Sequence, residues 1–258
     1  MKKLLGLLGT VQMITIPALS VVACESNANY KEFKSGVDAK ESFVLYIGAD
    51  DCEHCKDFDK FLGMKNATQT GEEVLKDGLE KMRTDYNDHL KSGGGNSGEE
   101  SVNNLLGYTS VNQISFHKFK YDNFDDIGND TKSMKNIRDG EVDQYESILK
   151  QQGNNNYIDN DNMDDALKQL VSTTGTPIFM IIRNGKFIGQ VSGFEGSSSD
   201  IEAQGNALIE SISKVGTTNA DEVITNLFTA AQDAVNNYKK TSESLGFNYD
   251  DVDLNNYL

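Results

Sequence analysis

Seven consecutive residues, Ser42-Phe43-Val44-Leu45-Tyr46-Ile47-Gly48, are uncharged and mostly β-branched or aromatic. Such a run reads as a central strand buried on both faces. Ala49-Asp50-Asp51 breaks it, and Cys52-Glu53-His54-Cys55 follows at once. A helix is expected to start near Cys52, with Cys55, Phe58 and Leu62 on one side. Two cysteines three apart on a first helical turn can close a small disulfide. The first faces the positive helix terminus, which favours its thiolate, while the second is shielded and can resolve a mixed disulfide. A bare C-x-x-C is a weak motif. The step from strand to helix strengthens it.

The clearest later signal is a hairpin. Ile178-Phe179-Met180-Ile181-Ile182-Arg183 and Lys186-Phe187-Ile188-Gly189-Gln190-Val191 flank Asn184-Gly185, a type I′ turn. Gly175-Thr176-Pro177 leads into it. Of the two prolines, Pro17 lies near the N-terminus, so Pro177 is the last one in the chain. A composition so averse to proline that keeps one before a strand points to a geometric need, since proline accepts a cis peptide bond readily.

Between the motif and the hairpin the periodicity is helical. Thr70-x-x-Glu73 is a capping box, followed by Val74, Leu75, Leu79, Met82, Tyr86 and Leu90 at spacings of three and four. A short helix is expected near 102–107, an outer strand at 114–121, and helical faces on Val142–Leu149 and Met163–Val171, the latter with Asp161 as N-cap. Residues 122–138 show no clear period. Ser199-x-x-Glu202 reads as a second capping box, and a last amphipathic helix spans about 220–239, before an acidic tail. The order of elements is that of an α/β protein with antiparallel character at its end.

The chain begins Met1-Lys2-Lys3, then runs without charge from Leu4 to Ala23. Gly, Thr, Gln and Pro residues dilute that stretch and no basic stop-transfer run follows, so residues 1–23 are expected to be an export signal. Val21-Val22-Ala23-Cys24 resembles the bacterial lipobox, with Val where Leu is usual. That resemblance implies a lipidated Cys24 as first mature residue, with residues 24–41 as a polar tether. The lipid bilayer is then a partner through the Cys24 anchor, and the expected location is the extracytoplasmic face of the cell membrane. Lipidation leaves Cys52 and Cys55 as the only free thiols among three cysteines, outside the reducing cytosol. The net charge is −16, or −18 once Lys2 and Lys3 depart. Such a surface repels nucleic acid, which is not expected as a partner.

Taken together, Phe43–Leu62 and Gly175–Phe194 resemble the thioredoxin superfamily: a hydrophobic strand, C-x-x-C at a helix start, and a Thr-Pro leading into a hairpin that ends in Gly-Phe. The nearer likeness is to extracytoplasmic DsbA-type oxidoreductases and bacteriocin-accessory thioredoxin-like proteins. The resemblance implies a thioredoxin-like central sheet over residues 42–216, with helical insertions at about 65–170. An extra C-terminal helix and acidic tail would occupy 217–258. It also implies Cys52 as the attacking sulfur and Cys55 as the resolving one. Glu53 and His54 complete the motif, with Glu53 where Pro or Gly is often found. Thr176 and Pro177, joined by a cis bond, would form the loop that orients the substrate. A charged His54 would make the disulfide more oxidising, which favours an oxidase or isomerase. Asp50, Asp51, Asp57 and Asp59 crowd the motif with opposing charge.

The expected activity is thiol–disulfide exchange on cysteines of exported proteins, with an unknown redox partner and no cofactor. The rival is a non-catalytic surface lipoprotein that keeps the fold. No metal is expected, because His54 lies between the cysteines and His89 and His117 are distant in sequence. Asp159–Asp164 begins like a calcium loop, but Met163 holds the fifth place and Gly is absent from the sixth. The cluster Asp122, Asp125, Asp126 and Asp130 reads as a solvated loop.

Overall fold

In the computed structural model, which describes residues 28–66, 68–93, 100–129, 133–151, 177–194 and 200–226, the uncharged run forms strand β1. Every residue of β1 (Phe43–Ala49) is buried. Its neighbours are β2 (Ser115–Tyr121), which runs parallel to it, and β3 (Ile178–Arg183), which runs antiparallel. β4 (Lys186–Ser192) pairs antiparallel with β3, giving the order β2-β1-β3-β4. The mixed tail of the sheet follows from the hairpin, while the parallel β1–β2 pair requires a crossover. That crossover holds three helices among the described residues: α2 (Glu53–Gly63), α3 (Gly71–Lys91) and α4 (Glu100–Leu105).

Helices cover both faces of the sheet. α1 (Ala28–Asp38) precedes β1, α5 (Phe124–Asn129) and α6 (Ser133–Gln151) follow β2, and α7 (Ile201–Thr217) follows β4. Residues 220–226 are also helical, and the rest of the expected last helix lies outside the described residues. Alternation along β1 sends Val44 and Tyr46 to the face packed by α2, α3 and α7, where Phe58, Phe61, Leu79, Met82 and Leu208 meet them. Phe43, Leu45 and Ile47 point to the other face, among Ile127, Met134 and Ile137. The result is a layered α/β protein consistent with a thioredoxin-like fold. Helices are inserted between α2 and the hairpin, and further helix follows.

The capping box is present as expected. Thr70 Oγ1 accepts from the Glu73 backbone N–H at 3.2 Å, and the Thr70 N–H donates to Glu73 Oε2 at 2.7 Å. The hairpin turn has φ of 49° at Asn184 and 73° at Gly185, as a type I′ turn demands. A methyl group at residue 185 would also overlap the Val37 carbonyl oxygen of α1.

Two expectations need correction. Residues 24–41 are not tether throughout, because 28–38 form α1. Tyr30, Phe33 and Val37, spaced three and four apart, pack onto the sheet, and Phe33 meets Phe43 edge-on at 6.0 Å. The stretch 122–138, which shows no clear period, contains α5 and the first turns of α6 among its described residues. Finally, α7 is capped by Asp200, whose Oδ1 accepts from the Glu202 and Ala203 N–H groups at 3.0 and 3.3 Å. Ser199 lies outside the described residues, as does the helix expected on 163–171.

A core position of α6 holds Glu141, which is 4% exposed. Burial raises its carboxyl pKa to about 8, against the opposing hydrogen bond from Tyr145 and charge of Arg138. Tyr145 Oη donates to its Oε1 at 3.0 Å, and Oε2 has no protein partner. A folded-state value above the unfolded one means the native chain holds the extra proton, so stability falls as pH rises from about 4.5 to about 8. Glu141→Gln should remove that slope, roughly 1 kcal/mol per pH unit within the window. Thermal unfolding of both proteins across the window checks this. Parallel curves at every pH would refute it.

Candidate active site

β1 delivers its chain directly to the cysteines. After Ala49 the backbone turns, held by the Asp50 N–H donating to Tyr121 O at 2.9 Å, and Cys52 becomes the N-cap of α2. Its φ and ψ of −75° and 122° are extended, as an N-cap requires. Cys52 Sγ accepts the otherwise unpaired Cys55 N–H at 3.2 Å, the place a Ser or Asp oxygen commonly fills. The two sulfurs lie within bonding range, with Cα atoms 5.2 Å apart, so the pair is held as a disulfide. Their exposures differ in a useful way. Cys55 is fully buried on the α2 face that also carries Phe58, whereas Cys52 is only partly buried. Glu53 stands exposed in the first turn, where its charge suits the helix terminus, and His54 is half-buried beside it.

Pro177 comes to the same end of the sheet although more than a hundred residues separate it from the motif. Ile178 pairs with Ile47, the third-last residue of β1, so the start of β3 faces the end that feeds Cys52. Ile178 and Cys52 pack into one apolar cluster. Pro177 is buried, and its carbonyl accepts from Gly193 N–H at 2.8 Å, extending the hairpin ladder by a residue. Phe194 then rests edge-on against Phe58 at 5.6 Å, tying the far end of the hairpin to the cysteine helix. Thr176, its bond to Pro177 and Cys24 lie outside the described residues.

The crowd of carboxylates is offset by neighbours that the local sequence does not reveal. Lys118 and Lys120 on β2 reach Asp59 of α2 at 2.5 and 2.9 Å, and Lys120 also pairs with Asp50. Burial opposes charge on Asp59, yet the two lysines outweigh it and hold its carboxyl below the usual range. Asp57 pairs with Lys60 at 2.6 Å. Asp51 Oδ1 accepts the Phe124 N–H, at the start of α5, at 2.6 Å. The negative field expected to oppose a thiolate at Cys52 is therefore weakened at its sources.

His89 and His117 stay away from the motif. His89 is in the last turn of α3, and His117 Nδ1 lies 3.1 Å from Glu32 Oε1 of α1. Among the described residues no group of three or more His, Cys, Asp or Glu side chains is arranged to hold a metal ion. The Asp159–Asp164 stretch lies outside them.

Lys118 and Lys120 were missed in the sequence because their partners are some sixty residues away. Their signal was the alternation Phe116-Lys118-Lys120 on one face of an expected outer strand. No protein-family model, curated protein or solved structure matches this chain. The functional reading therefore rests on the geometry.

Proposed function

We propose that the protein is a thiol–disulfide oxidoreductase that acts on cysteines of exported proteins. The observation that carries this reading is the asymmetric pair, with a partly buried Cys52 at the N-cap of α2 and a fully buried Cys55 bonded to it. In the oxidising direction a client thiolate attacks Cys52 Sγ, the Cys52–Cys55 bond breaks, and Cys55 leaves as a thiolate that takes up a proton. A second client thiolate then attacks the client sulfur of the mixed disulfide and expels Cys52 as a thiolate. Two electrons pass to the protein and the client gains a disulfide. The reducing direction is the same path reversed. A second dithiol or disulfide couple resets the pair. The Cys55 N–H and the helix terminus both favour the negative sulfur that Cys52 becomes on leaving.

Turnover of a peptide disulfide tests the reading. The wild type should catalyse exchange, and Cys52→Ser should fall to the uncatalysed rate. Equal rates would sink it. The site would work at a membrane surface. Val21-Val22-Ala23-Cys24 supports cleavage before Cys24 and its modification by lipid, and two or more acyl chains suffice for stable anchoring. Mass spectrometry of the mature N-terminus from a lipidating bacterial host should give acyl-glyceryl Cys24. A retained Met1 would exclude that anchor.

A further inference from the structure

Phe124 is half exposed and is the one large apolar side chain so exposed among the described residues. Its place is not arbitrary. Phe124 opens α5, and its backbone N–H is held by the side chain of Asp51, the residue that immediately precedes Cys52. Ile127, one turn further along α5, is buried in the apolar cluster against which Cys52 itself packs. The helix is thus fastened beside the reacting sulfur from two directions, with its aromatic ring turned to solvent.

We propose that Phe124 contacts the client polypeptide and sets its specificity. It would receive an extended, cationic stretch with an apolar residue close to the reacting cysteine. This rests on the exchange activity proposed above. Charge complementarity selects the occupant. Asp122, Asp125 and Asp126 are exposed on either side of Phe124, whereas Lys118, Lys120 and Lys60 are already paired with Asp59, Asp50 and Asp57 on the α2 side of the motif. Exposed Lys56 belongs to that side too. The α5 side is therefore the acidic one. An acidic peptide would be repelled there, and a cationic one drawn in and then held by the aromatic ring. Cationic side chains in the client gain further from lying over that ring.

Two peptides of equal length and with the same disulfide separate the possibilities, one with Lys and Leu beside the cysteine, the other with Ser and Gly. The full chain should prefer the first in kcat/KM, and most of the preference should lie in KM. Phe124→Ser should raise KM for the cationic apolar peptide about tenfold, the size of one lost aromatic contact. Phe124→Leu should restore most of it, and raising the salt should shrink the charge-dependent part. If the wild type turns over both peptides equally, or Phe124→Ser leaves their ratio unchanged, the inference is overturned while the exchange activity stands. If neither peptide is turned over, both readings fall together. A dimer that Phe124→Ser converts to monomer would assign the ring to self-association instead, and so also overturns the inference.

Discussion

Cys55→Ser should convert a transient intermediate into a stored one. Mixed with a peptide disulfide after reduction, this variant should accumulate one covalent peptide per chain through Cys52, and Cys52→Ser should accumulate none. The reasoning starts from burial. Cys55 is fully enclosed beneath the motif while Cys52 is not, so an incoming sulfur reaches only Cys52. Once the mixed disulfide forms, Cys55 is the nearest thiol. Its advantage over free thiols is that of a well-oriented intramolecular group, with an effective concentration of about 10⁵ M or more. Serine offers no comparable nucleophile. The adduct should therefore outlive its wild-type counterpart by at least about three orders of magnitude. Intact-mass measurement over time reads this directly. Adducts through Cys55 in the Cys52→Ser chain, at a similar rate, would reverse the assignment of roles.

The second large effect concerns stability and lies at the other end of the hairpin. Arg183 is 3% exposed, and its guanidinium lies 4.3 Å from the ring centroid of Tyr86 and 4.2 Å from that of Tyr108. It donates to Gly216 O at 3.1 Å and Leu106 O at 3.3 Å, joining α7, the loop after α4 and β3. Among the described residues no carboxylate pairs with it, so the rings and carbonyls compensate for its desolvation. Arg183→Ala removes both ring contacts, empties the slot between them and leaves buried carbonyls unpaired. A loss of about 3–5 kcal/mol follows. Arg183→Lys should recover little, because a compact ammonium cannot stack flat between two rings. Denaturant unfolding with an unchanged m value would measure it. A loss below about 1 kcal/mol would show that removing the buried charge repays what the contacts lose.

Local chemistry was readable and long-range pairing was not. Phe43–Gly48, the Asn184-Gly185 turn and the Thr70–Glu73 cap each depend on neighbours within a few residues, and each formed as the sequence indicated. α1 was overlooked because Tyr30, Phe33 and Val37 make a stripe only one side chain wide in a polar stretch. Arg183 looked like the polar end of an apolar strand. Its burial depends on two tyrosines about 75 and 97 residues earlier, brought in by the insertion. At the site, the cysteines and Pro177 were legible as a pattern. That Asp50 and Asp59 arrive already paired with lysines of β2 was not, since pairing between distant elements leaves no local trace.

β3 is six residues long and carries different duties at its two ends. Ile178 begins it beside the cysteines, and Arg183 finishes it inside the aromatic clamp. At about 3.3 Å per residue the two lie roughly 17 Å apart along a fully buried strand. Along β3 itself, a disturbance at the clamp reaches the sulfurs by unfolding the strand between them. The stability set at the clamp and the exchange proposed at the cysteines therefore rest on opposite ends of one strand. Residues around Arg183 bear on how long a molecule stays folded, and residues around Cys52 bear on the chemistry proposed for it.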